Sequence, residues 1–272
     1  MNPLLLPYVR RTPVLPAAAP DFVTPLGPLA FTAELDGVPL PARPDRSWRL
    51  PSGALVVRWD GRGVELELLV TAYEPEPVGF ARTAAGACGA LWCLRTRREV
   101  RRPVFTAALT GPPPGTSADY NGSQGVASLE VAGGGFELAL SGDDAEAICE
   151  RADGDPDVPA RWAAHREAMY RRSVHWGEHY LYERCALRWT LPELLPGEHV
   201  LLPASAAWLP VDPEADPDAE GDGAAWWGAL THPDAILAAA AAGVPEPPAA
   251  RRRNGTRRAG RIGPPGPPGL TD

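Results

Sequence analysis

Leu55-Val56-Val57-Arg58-Trp59-Asp60-Gly61-Arg62-Gly63-Val64-Glu65-Leu66-Glu67-Leu68-Leu69-Val70 is the stretch that decides how this chain is read. Leu55, Val57 and Trp59 alternate up to Asp60-Gly61-Arg62-Gly63. Val64, Leu66, Leu68 and Val70 then alternate against Glu65 and Glu67. A period of two puts every second side chain on one face of a strand, and a glycine-bearing turn between two such runs is a hairpin signal. The stretch therefore predicts two antiparallel strands with one apolar face.

The same pattern spreads outward. Phe31, Ala33 and Leu35 alternate into Asp36-Gly37. Strands are expected at 78–83, 89–96 and 103–109, and a second hairpin, 128–131 with 136–140, around Gly133-Gly134-Gly135. Asp157 and Pro159 suit a helix start, so one helix is expected over about 159–174. Strands return at about 179–190 and 198–209, split by Leu195-Pro196-Gly197-Glu198, and an alanine-rich helix is expected at roughly 233–242. Proline (33) and glycine (28) make about 22% of the 272 residues, which favours short strands and many turns. The expected fold is mainly β: an antiparallel β-sandwich with one central helix and a short C-terminal helix. Its organisation reads as a proline-rich extended arm (1–30), the sandwich (31–211), an acidic loop with the C-terminal helix (212–244) and a disordered Arg/Pro/Gly-rich tail (245–272).

Composition excludes several chemistries. All 26 basic residues are arginine, so there is no P-loop lysine, no Schiff-base lysine and no covalent pyridoxal chemistry. The net charge is −8, and the last 24 residues carry six arginines against Asp272. The remaining body holds 20 arginines against 33 acids, or −13, a poor platform for phosphate contact. A nucleic-acid partner is therefore unexpected. The four cysteines, Cys88, Cys93, Cys149 and Cys185, lack paired metal spacing and read as buried thiols of a reducing compartment. The apolar run Leu4-Leu5-Leu6 precedes its arginines, the reverse of a secretory leader, and no run approaches a membrane span. The expectation is a soluble cytoplasmic protein without a membrane segment.

The densest constellation of reactive side chains is His175-Trp176-Gly177-Glu178-His179-Tyr180-Leu181-Tyr182-Glu183-Arg184-Cys185. His175, His179 and Glu183 are four apart. On a helix such residues are neighbours able to share a metal, whereas on a strand each step of four is roughly 13 Å. Gly177 and the downstream alternation Leu181, Cys185, Leu187, Trp189 favour a strand, so no metal site is expected there or with His199. On that strand Glu183 would face inward with Leu181, Cys185 and Leu187. It then needs an arginine partner or serves as an acid, making Glu183, His179 and His175 the candidate catalytic residues. Asp216-x-Asp218-x-Glu220-Gly221 opens like a calcium loop, but its twelfth position is Trp227 instead of glutamate. Of nine tryptophans, Trp176, Trp208, Trp226 and Trp227 sit near turns and are the candidate ligand-binding rings, since exposed indoles stack on sugars or bury against partners. No cofactor motif is present.

Residues about 30–210 resemble the N-terminal β-supersandwich of glycogen-debranching-type glycoside hydrolases. The resemblance is carried by Gly53 to Tyr73, by Tyr73-Glu74-Pro75-Glu76-Pro77, and by Tyr182-Glu183-Arg184 followed by Leu195-Pro196-Gly197-Glu198. It implies a sandwich fold and a link to carbohydrate. The α/α barrel that follows in that family has no room here, and the family's catalytic acids have no counterpart. Three functions follow from the reading. The first is a non-catalytic binding or assembly module for carbohydrate. The second is a small-molecule enzyme around Glu183, His175 and His179. The third is a structural subunit whose termini contact protein partners.

Overall fold

The structure is a computed structural model that describes residues 4–15, 20–61, 63–75, 84–121, 125–166, 176–211, 224–230 and 233–242. Of Ala224 and Trp227 it describes the backbone alone. The chain is mainly β, with two antiparallel sheets packed face to face.

The expected central hairpin forms as β6 (Leu55–Gly61) and β7 (Val64–Tyr73), in register from Leu55 opposite Val70 to Gly61 opposite Val64. Gly63 sits at φ 76°, a conformation that costs glycine nothing. This hairpin lies in a nine-stranded sheet. Next to β6 come β5 (Arg46–Arg49) and the edge strand β1 (Thr12–Val14). Beyond β7 come β8 (Gly86–Thr96), β15 (His199–Pro210), β12 (Phe136–Asp143), β11 (Val126–Gly133) and β10 (Ser117–Tyr120) at the other edge. The smaller sheet runs β13 (Gly177–Leu181), β14 (Ala186–Thr190), β9 (Pro103–Leu109), β3 (Gly27–Leu35) and β2 (Asp21–Thr24), with β4 (Val38–Pro39) also on β3.

The alternation read from the sequence settles what lies between the sheets. Val57, Trp59, Leu66 and Leu68 face inward, as do Phe31, Phe105, Leu187 and Trp189 from the smaller sheet. Trp92 stands at the centre, with Phe31, Phe105 and Trp189 at ring-centroid distances of 5.8, 5.4 and 6.1 Å. The start of the chain also builds core: Leu26 and Leu29 are wholly buried in it. So residues 21–30 do more than lie over the sandwich as an arm.

The outer face of the larger sheet is roofed. Leu5, Leu6 and Val9 cover Val56, Leu69, Leu91 and Leu201 together with Ile236 and Ala240 of the C-terminal helix. Three α-helices are described: α1 (Ala145–Arg151), α2 (Ala224–Ala229) and α3 (Pro233–Ala241). Gly89 permits the close docking of α3, because a Cβ there would stand 2.6 Å from Ile236 Cγ1. Under this roof Glu67 is fully shielded. It accepts from the Leu5 amide (2.9 Å), from Arg58 Nη1 (3.2 Å) and from both Arg11 amino groups (3.2 and 3.0 Å).

Three expectations are revised or left aside. The helix expected over 159–174 shows a 3-10 turn, Ala160–Ala164, while 167–175 lie outside the described residues. Residues 165–166 continue that turn as helix, so the expected helix runs into residues outside the described ones. A separate α-helix precedes it, α1, where Asp144 caps the start by accepting from Ala147 N. The strand expected over 179–190 is two strands, broken by a 3-10 turn at Tyr182–Arg184 and by Cys185 in the left-handed region. The strand expected at 78–83, the acidic loop and the arginine-rich tail fall outside the described residues. No described helix is long and apolar enough to cross a membrane.

Candidate binding site

The broken strand re-aims the side chains of the His-Glu constellation. β13 pairs with β14 so that Glu178 lies opposite Trp189 and Tyr180 opposite Leu187. Cross-strand pairs share a face, and Trp189 and Leu187 belong to the inter-sheet core. Glu178 and Tyr180 therefore turn toward the interior, while His179 and Leu181 turn outward beside Arg188 and Ala186. Glu183 falls in the turn and is exposed. The expectation that Glu183 faces inward with Leu181, Cys185 and Leu187 is thus corrected: the left-handed step at Cys185 ends the alternation that placed it there. The half-buried carboxylate of this segment is Glu178.

Tyr180 closes the sandwich where the edge strands β13 and β10 approach each other. Its ring meets Tyr120 edge-on, at 4.9 Å and 81°, and lies nearly parallel to Tyr182, at 6.2 Å and 19°. Tyr120 and Tyr182 remain 48% and 46% exposed. Beside Tyr120, Asn121 donates its side-chain amide to Glu130. The result is an aromatic rim with one ring braced by the core and two rings open to water.

Two carboxyls stand behind this rim. Glu178 Oε2 accepts the Ala145 amide at 2.9 Å. Asp144 accepts from Ala147 N at 2.8 Å and from Gly125 N at 2.9 Å. Together they satisfy amides at the start of α1 that have no partner within the helix. Burial pushes both carboxyls up from their usual range, and the charge of Asp144 adds to the effect on Glu178. Burial also pushes the Tyr180 phenol up, helped by Glu178 and Tyr120. Neither acid projects freely toward a substrate, since each already holds backbone amides. The arrangement can stack rings and accept hydrogen bonds, and it holds its own geometry through α1.

The other residues singled out from the sequence do not converge here. His175 lies outside the described residues. His179 is exposed on the outer side of β13, and burial, then Arg188 and Arg102, holds its imidazole below the usual value. Trp176 is half-buried against His165, with rings 5.7 Å apart. Trp208 packs on Phe22 at 6.0 Å and over Gly86, where a Cβ would stand 2.5 Å from its ring. Trp226 lies on α2, half-buried against the cluster around Tyr73 and Ala207. The side chain of Trp227 is outside the described residues. Among the described residues the open rings are tyrosines. Their signal was present in Tyr180-x-Tyr182, but Tyr120 comes from sixty residues away and only sheet pairing brings it near.

No protein-family model matches the chain, and no curated protein sequence does. Among solved structures it has a weak likeness, at the level of fold, to a protein described as "Putative kojibiose phosphorylase from human microbiome". The identity is 6% and the TM-score 0.37, over 66% of this chain. The chain spans 22% of that protein's length.

Proposed function

We propose that this chain is a non-catalytic binding module that takes carbohydrate on the rim formed by Tyr120, Tyr180 and Tyr182. The observation that carries the reading is the pair of half-exposed rings braced by a third at the meeting of two sheet edges. Aromatic faces with a polar tip suit a ligand that is apolar on one face and hydroxylated at its edge. Glu130 and Asn121 supply planar polar groups beside the rings. The exposure of Glu183 favours binding over the enzyme reading, because a catalytic acid gains its altered proton affinity from enclosure. The test is calorimetric titration with maltoheptaose and with cellohexaose, monitored for turnover by chromatography. Saturable binding without bond cleavage is expected, weakened at least tenfold in Tyr182→Ala and in Tyr120→Ala. Binding unchanged in both variants, or release of shorter sugars, overturns the reading.

A further inference from the structure

A cavity of about 450 Å³ is lined by Phe31, Leu40, Trp59 and Leu66 and by Arg184 and Arg188, the first of these arginines in the same turn as Tyr182. Its size falls within the roughly 300–1,000 Å³ of small-molecule sites. One wall is the strap 39–42. The Leu40 amide donates to Ala33 O at 2.9 Å, and Trp59 Nε1 donates to Pro41 O at 2.9 Å. Pro39 and Pro41 fix their own φ angles, so this wall is stiff.

The walls are apolar, but the charged lining is unbalanced. Arg184 and Arg188 face one acid, Glu34. The contact from Arg188 to Glu34 is 3.9 Å, too long for a hydrogen bond. Arg184 is exposed and has no ion pair among the described residues; Glu183 is its exposed neighbour in the same turn. A guanidinium offers five donors in a fork that matches a carboxylate, so two under-engaged forks beside an apolar chamber define a polarity for the ligand. The local field agrees: Arg188 and Arg102 both act to hold the nearby His179 imidazole below its usual value.

We infer that this cavity binds an amphipathic monocarboxylate, its apolar body against Leu40 and the strap 39–42 and its carboxylate on Arg184 and Arg188. The site shares no lining residue with the tyrosine rim and stands whether or not the rim takes sugar. The test titrates octanoate into the full chain by calorimetry, with 1-octanol and octylamine as probes of the same length and different charge. One-to-one binding of octanoate is expected, at least tenfold tighter than either analogue, with a shift of the Trp59 indole N–H resonance. Arg184→Gln/Arg188→Gln is expected to lose at least tenfold in octanoate affinity. Arg97→Gln, whose guanidinium pairs with Glu65 and does not line the cavity, and Tyr120→Ala are expected to leave it unchanged. If the double variant folds poorly, the exposed single change Arg184→Gln carries the comparison, with a loss of several-fold. No saturable binding at millimolar octanoate, equal binding of octylamine, or undiminished affinity in the arginine variants overturns the inference.

Discussion

The outer face of the larger sheet and the edge at Tyr120 and Tyr182 both carry polar groups against apolar ones, yet they meet water in opposite ways. On the sheet face, the N-terminal segment and α3 exclude solvent so thoroughly that Glu67 is 0% exposed. Two arginines and a backbone amide converge on its carboxylate there. At the edge, by contrast, Tyr120 and Tyr182 keep nearly half their surface, although a third ring could have drawn them inward. The first region spends its contacts on holding the chain ends to the sheet. The second leaves contact surface unspent, which is what a binding surface requires.

The sharpest way to break this contrast is Glu67→Ala. It takes the carboxylate from Arg11 while Arg58 keeps Asp60 and Glu65, and removing one partner of a buried pair costs up to about 3–5 kcal/mol. Urea denaturation followed by circular dichroism reads the loss; a cost under about 1 kcal/mol would mean that the roof opens and lets water reach the arginines. Next in size is Gly142→Ala, which tests whether the floor beneath the tyrosine edge is rigid. A Cβ there would stand 2.6 Å from the Trp189 ring and 3.0 Å from Pro203 O. Overpacking of this kind costs about 1–3 kcal/mol, read as a lowered thermal midpoint.

Smaller still is the effect of pH through Glu178. Its carboxyl is held above the ordinary value by burial, so the folded chain keeps the proton more tightly than the unfolded one. The stability it contributes is complete below the ordinary glutamate range and is lost as pH rises through the raised value. Glu178→Gln keeps an acceptor for the Ala145 amide but never ionises. Its urea midpoint, measured against pH, is expected to gain on the parent across that window; parallel curves would show that Glu178 stays solvated. The smallest expected change in stability is that of Tyr182→Ala, within about 0.5 kcal/mol, because its ring is half exposed. The same variant is expected to lose sugar affinity at least tenfold, so a large fall in melting temperature would make Tyr182 a packing residue.

Much of the sandwich was legible because its strands alternate cleanly. Val64, Leu66 and Leu68 face the core as read, and Glu65 and Glu67 point away from it. The alternation could not say that the far side is itself covered, since Leu5 and Ile236 reach Leu69 from opposite ends of the chain. It also could not foresee the break at Tyr182–Arg184, where no glycine or proline marks the turn and Cys185 takes φ 44°. That one step moved the inward acid from Glu183 to Glu178. The tryptophans were read as candidate ligand rings from their place near turns, but Trp176 and Trp208 are packed on His165 and Phe22, neighbours supplied by other elements.

What the sequence by itself determined is local: which residues form strands, where most hairpins turn, and which face of each strand is apolar. Those follow from backbone geometry and a period of two, which act over a few residues. Which polar face is roofed, which carboxylate is shielded and which rings stay open were decided only by tertiary structure. Each depends on a partner brought from far along the chain, as Arg11 to Glu67 and Tyr120 to Tyr180, and burial raises or removes the cost of a charge only once that partner has arrived.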